Sequence, residues 1–113
     1  MNSENISVIS LTQKKKKNNN IIIAIRHASR NGHLHVIQEL MKDPRVNPSD
    51  YHNIGIQWAA ANGYCEVVEE LLKDKRVDPT AFGFRALYLA TQSGHDDVLH
   101  ILMNDHRVKN MFK

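Results

Sequence analysis

Apolar residues recur along this chain at helical spacing, and the whole arrangement returns three times at an interval of 31 residues. In the middle copy Val67, Val68, Leu71 and Leu72 fall on one face of a helix, while Glu66, Glu69, Glu70 and Lys73 decorate the other. That is the pattern of an amphipathic helix packed on a core. The first copy repeats it with Val36, Ile37, Leu40 and Met41, and the third with Val98, Leu99, Leu102 and Met103. Ahead of each lies a shorter apolar segment. In the middle copy it comprises Ile56, Trp58, Ala59 and Ala60 and ends at Asn62-Gly63, where glycine can take the left-handed conformation that stops a helix.

The register never slips. Ala28, Ala59 and Ala90 share one phase, as do Gly32, Gly63 and Gly94, then Val36, Val67 and Val98, and Leu40, Leu71 and Leu102. Each longer helix is followed by Asp-x-Arg-Val, at Asp43, Arg45 and Val46, at Asp74, Arg76 and Val77, and at Asp105, Arg107 and Val108. Pro48 and Pro79 come two residues after the valine. Proline cannot continue a helix and biases the residue before it toward an extended conformation. Ser49 to Gly55 and Thr80 to Gly83 are therefore expected to form exposed turns or hairpins. A period in this range marks stacked supersecondary units, each too small to bury its own apolar face.

At 113 residues, with 42% apolar and 24% charged residues, the chain has room for one domain with a modest core. No run of about 18 apolar residues is present, so no spanning helix is expected, and the start lacks a basic region followed by an apolar core. The expected address is the cytoplasm, with the nucleus open because Lys14 to Lys17 resemble an import signal; a solvated charged tract is the plainer reading. The formal charge is +3, and removing that lysine run leaves the remainder close to neutral. The basic footprint that nucleic-acid binding needs is thus missing from the repeats. Residues 1 to 20 read as a disordered basic tail of low complexity, although Ile6, Val8, Ile9 and Leu11 leave open a short element covering the first repeat. Residues 21 to 113 form the repeat domain, divided near 21–51, 52–82 and 83–113.

A short helix, an Asn-Gly turn, a longer apolar helix and an outward loop resemble the ankyrin repeat. The matching residues run from Ala28 to Ile37 with Leu40-Met41, from Ala59 to Tyr64 with Glu66-Val67-Val68 and Leu71-Leu72, and from Ala90 to His95 with Val98-Leu99 and Leu102-Met103. The resemblance implies an all-α helical solenoid of helix-turn-helix pairs with short hairpin loops. It also implies that His33 and His95, just after the turn glycine, hydrogen-bond loop backbone. Two departures stand out. The unit is two residues shorter than the usual length of about 33, and Asn53-Ile54-Gly55-Ile56-Gln57 and Phe84-Arg85-Ala86-Leu87-Tyr88 replace the Thr-Pro-Leu-His opening. Looser hairpins follow as an expectation.

Candidate chemistry is sparse. Seven histidines include no His-x-x-x-His pair, Cys-x-x-Cys is absent, and a zinc site draws four convergent ligands; no metal or other cofactor is expected. Asp96 and His100 share a helix face, but no further ligand accompanies them. The Asp and Arg residues after each helix recur in every copy, whereas an enzyme needs one asymmetric constellation. They read as a ladder bracing the loop ends. No nucleophile elbow, phosphate loop or dinucleotide fingerprint is present, so no catalysis and no small-molecule substrate are expected. Lone Cys65, matched by Leu34, reads as a small buried hydrophobe, and Trp58 as core or partly buried packing rather than a binding hot spot.

The implied function is binding another protein, through the concave face of the first helices and the loop tips. Positions that differ between copies are the candidate contacts: Arg30 and Asn31, Ala61 and Asn62, Gln92 and Ser93, with Tyr51, His52, Phe82, Phe84 and Arg85 in the loops. Exposed aromatics at loop tips offer large contact area at low entropic cost; the alternative is that they pack on neighbouring repeats. Two other readings stay open, a shortened relic of a longer array without a partner and nucleic-acid association through the lysine tail. At the carboxyl end Asp96 supplies a polar residue, yet Ile101, Met103, Met111 and Phe112 remain. Marginal stability, or self-association through that end, is expected.

Overall fold

A computed structural model describes residues 18–112, apart from the side chains of residues 18–22 and 50–52. The lysine run and the apolar residues ahead of it lie outside the described residues. Among the described residues seven helices run in order: α1 (Asn18–Asn31), α2 (Leu34–Met41), α3 (Asp50–Ala61), α4 (Cys65–Leu72), α5 (Ala81–Gln92), α6 (Asp96–Met103) and α7 (His106–Met111). No strand occurs among the described residues. α1 packs on α3 and α3 on α5, while α2 packs on α4 and α4 on α6. The result is two parallel layers of helices in a body of 43 × 24 × 18 Å.

The core repeats with the sequence. Ala28, Ala59 and Ala90 are buried where first helices meet, and Leu40, Leu71 and Leu102 are sealed beneath the second helices together with Val36, Val67 and Val98. Small residues let the first helices approach closely, and the valines, isoleucines and leucines supply most of the apolar area removed from water.

Each first helix stops at a glycine with positive φ. The following N–H reaches back to the alanine carbonyl, His33 to Ala28 (2.9 Å), Tyr64 to Ala59 (3.0 Å) and His95 to Ala90 (2.9 Å). Gly63 and Gly94 add the shorter bond, to Ala60 (3.3 Å) and Thr91 (3.1 Å), which makes a Schellman cap. Glycine is required here for a second reason. A Cβ on Gly32 would stand 2.6 Å from the Tyr64 ring, and one on Gly63 2.7 Å from the His95 ring. The ring after the second and third turns therefore seats on the glycine of the preceding repeat. For His95 the histidine expectation changes accordingly, since its ring packs against a neighbouring turn; His33 sets its ring edge-on to His27 at 5.7 Å.

The loop ends are braced as the repetition implied. Asp43, Asp74 and Asp105 each grip the arginine two residues on through its backbone N–H and its guanidinium. Arg76 also donates to the Val46 carbonyl at 2.8 Å, and Arg107 to the carbonyls of Val77 (2.5 Å) and Leu72 (2.9 Å). Every rung after the first thus reaches the previous repeat. Beyond the valine, Asn47 and Asp78 each accept from the N–H and the hydroxyl of Ser49 and Thr80 around a buried proline. The third copy has Asn110 in place of proline, and its chain continues as α7, capped by Asp105.

No strand hairpin forms among the described loop residues, and of the expected exposed turns the third-copy one is open at Phe82 and Gly83. Helices α3 and α5 begin directly after Ser49 and Thr80, and Asn53 and Gly55 are buried. Asn53 turns left-handed (φ 64°), and its side-chain oxygen accepts the Asp78 N–H at 2.7 Å, so the turn folds against the next loop. Asparagine tolerates that conformation. In the third copy Phe82, Gly83 and Phe84 are all left-handed and interrupt α5; for phenylalanine this backbone is strained. At the other boundary, Asn18 to Asn20, read from sequence as tail, begin α1.

One polar group is left over. Ser29 is fully buried, its hydroxyl has no partner, and Gly55 of α3 faces it. Ser29→Ala is expected to stabilise the fold by about 1 kcal/mol, read as a higher denaturation midpoint; a lower one would show that the hydroxyl is satisfied in solution.

The ladder carries a pH signature. The Arg76 hydrogen bond holds the Asp74 carboxyl below the usual range against the opposing effect of burial. Burial alone would raise Asp105, but bonds from the Arg107 side chain and N–H outweigh it and leave that carboxyl lowered too. Folded pKa values below the unfolded ones mean stability that is complete above about pH 4 and lost as pH falls through the folded values. Arg107→Ala is expected to cost about 2 kcal/mol at pH 7 and less in acid. Urea unfolding at neutral and acid pH checks this, and an equal cost at both would assign the effect to the carbonyl contacts alone.

Candidate functional site

Burial of one side of each first helix leaves a stripe of residues spaced four and then three apart on the opposite side. α1 presents Ile23, His27 and Arg30; α3 presents Ile54, Trp58 and Ala61; α5 presents Arg85, Leu89 and Gln92. These three stripes are in register with one another at the repeat spacing, and none of their residues is buried. Tyr88, 57% exposed, stands beside the third stripe. Between α1 and α3 the surface dips into an open depression lined by Ile23, Arg26, His27, Arg30, Ile54 and Trp58. The Arg30 guanidinium lies over the Trp58 ring, 5.0 Å from its centre, a cation-π contact that holds both side chains in place.

The residues singled out from sequence divide into three groups. Arg30, Ala61, Arg85 and Gln92 belong to the stripes, and Ser93 is exposed at the end of α5. Asn31 and Asn62 are exposed and also brace the fold: Asn31 donates to the His27 carbonyl at 2.8 Å, and Asn62 crosses between repeats to the Arg30 carbonyl at 2.9 Å. Of the loop aromatics, Phe82 is 61% exposed, whereas Phe84 is half-buried and stacks on Phe112 at 5.3 Å. The side chains of Tyr51 and His52 lie outside the described residues.

Ile23, Ile54 and Tyr88 were not singled out from sequence, and Trp58, read as core or partly buried packing, is half-buried and also lines the depression. The signal was available in the repeat itself. Ile23, Ile54 and Arg85 share one phase, and His27, Trp58 and Leu89 another, so variation along the first helices marked the stripes as clearly as their ends.

Groups with chemistry of their own are few. No cluster of three or more histidine, cysteine or acidic side chains that could hold a metal occurs among the described residues. Cys65 is half-buried rather than sealed. Burial, then the hydrogen bond to Asp97 and that residue's charge, push its thiol up to about 11. A thiol so held is protonated at neutral pH and a poor nucleophile.

Two layers of helices in register, repeating every 31 residues, define a helical repeat protein. A family model for ankyrin repeats matches three copies over residues 21–112, and the chain belongs to the ankyrin repeat family. Neither a comparison with curated proteins nor one with solved structures matches it to a particular relative. Ankyrin repeats are in general protein–protein interaction modules and typically non-catalytic. None of the described helices is long and apolar enough to cross a membrane.

Cys65 is expected to react with a disulfide reagent at pH 8 roughly tenfold more slowly than in the denatured chain, because the fall in thiolate fraction outweighs the greater nucleophilicity of a more basic thiolate. Asp97→Asn is expected to recover part of that rate. Comparable rates in folded and unfolded protein would show the thiol to be unperturbed.

Proposed function

We propose that the chain binds a partner protein through the first-helix face, with Ile23, Trp58 and Tyr88 as apolar anchors, Arg30 and Arg85 as polar contacts, and Phe82 at the rim. The registered stripes carry this reading: positions that hold the repeats together are buried and repeated, while the stripe positions are accessible and chemically varied. Aromatic and arginine side chains with restricted motion are the types that dominate interface energies. The Trp58–Arg30 pair lowers the entropy lost on binding. Phe84 serves the fold, through its stack on Phe112, and is not among the contacts.

An exposed double variant, Ile23→Ser with Tyr88→Ser, tests the face, because surface substitutions of this kind shift stability by no more than about 0.5 kcal/mol. Proteins captured by the intact chain are expected to fall at least about tenfold with the variant, while Phe82→Ala reduces them less. Unchanged capture by the double variant, with an unchanged melt, would move the interface elsewhere.

A further inference from the structure

The helices segregate charge by layer. Among the paired first and second helices, arginines occur only in the first, as Arg26, Arg30 and Arg85, while Arg107 lies in α7. The second helices hold Glu39, Glu66, Glu69, Glu70, Asp96 and Asp97 and no lysine or arginine. The first layer has a single acid, Asp50, at the start of α3. One broad side of the molecule is therefore cationic and aromatic, the other acidic.

Resting on the proposal that the first-helix face is the binding site, we infer that its partner is an acidic peptide segment carrying at least one large apolar side chain. Arg30 and Arg85 flank the apolar centre formed by Ile54 and Trp58, and neither makes an ion pair with a described residue. A guanidinium keeps its charge at every physiological pH and offers a planar fork that fits a carboxylate. On Arg30 one flat side is already taken by the indole, which leaves the edge N–H groups to face a ligand. The apolar side chain of the partner enters the depression between α1 and α3, and its carboxylates meet the arginines on either side. Repulsion by the acidic second layer discourages the same segment from settling on the opposite face.

A nucleic acid shares the charge but not the rest. Duplex DNA carries one negative charge per about 1.7 Å of its axis, a density that the three arginines of this layer do not match. Aliphatic residues, Ile23, Ile54 and Leu89, also separate the cations where a polyanion would need continuous positive charge.

Selection of a random phage-displayed peptide library on the immobilised full chain, followed by synthesis of the enriched peptides, tests the inference. Enriched sequences are expected to be rich in aspartate and glutamate around a leucine, isoleucine or aromatic residue. They are expected to bind about tenfold more weakly to the Arg30→Gln, Arg85→Gln double variant and to weaken with added salt. Neutral or basic peptides that are lost with Ile23→Ser and Tyr88→Ser would overturn the acidic partner and leave the face standing. No enriched peptide, or binding indifferent to both double variants, would overturn the two together. Oligothymidylate binding more tightly than the acidic peptides, and lost with the arginine variant, would replace the peptide with a nucleic acid.

Discussion

Every repeat in this chain is closed by its neighbour, through three kinds of contact that recur along the stack. Alanine against small residues sets the spacing of the first helices, an aromatic ring seats on the preceding turn glycine, and an arginine from each later rung reaches carbonyls one repeat back. None of these contacts exists inside a single unit. The fold therefore has the nearest-neighbour energetics of a one-dimensional stack, in which each unit gains stability at its interfaces. Arg45, in the first unit, is the most exposed of the three ladder arginines and Arg107, in the third, the least.

That division of labour frees the rest of the surface. Once cohesion is confined to buried alanines, leucines and valines, the stripe residues can vary without touching the core. A rigid frame then presents His27, Trp58 and Leu89 at equivalent places with three different chemistries. The same logic accounts for the separation of charge, since carboxylates on the second helices and guanidinium groups on the first are never asked to pack against each other. It also accounts for Asn62, which a residue-by-residue reading takes for a contact but which ties α3 to α1 through the Arg30 carbonyl.

The third unit departs most from the others. Thr91 stands exposed where Ala60 is buried, Asp96 replaces half-buried Cys65, and no described atom covers the outer side of Gly94. Phe84 compensates by stacking on Phe112, in a backbone conformation that asparagine adopts at the equivalent position, Asn53. Met103, Met111 and Phe112 remain largely open beside it.

The helices, their order, the turn glycines and the leucine core were legible in the residues, because helical periodicity and exact repetition report local backbone preference and burial directly. The Asp–Arg ladder was legible as well, since a motif recurring in every copy must lie in a row. What the residues could not disclose was which groups meet across repeats. Tyr64 over Gly32, Arg30 over Trp58 and Asn53 against Asp78 join positions 25 to 32 residues apart, a separation at which propensity is silent. Likewise, a first helix has two sides, and only the packing of α1 on α3 and α3 on α5 decides which becomes core and which stays accessible.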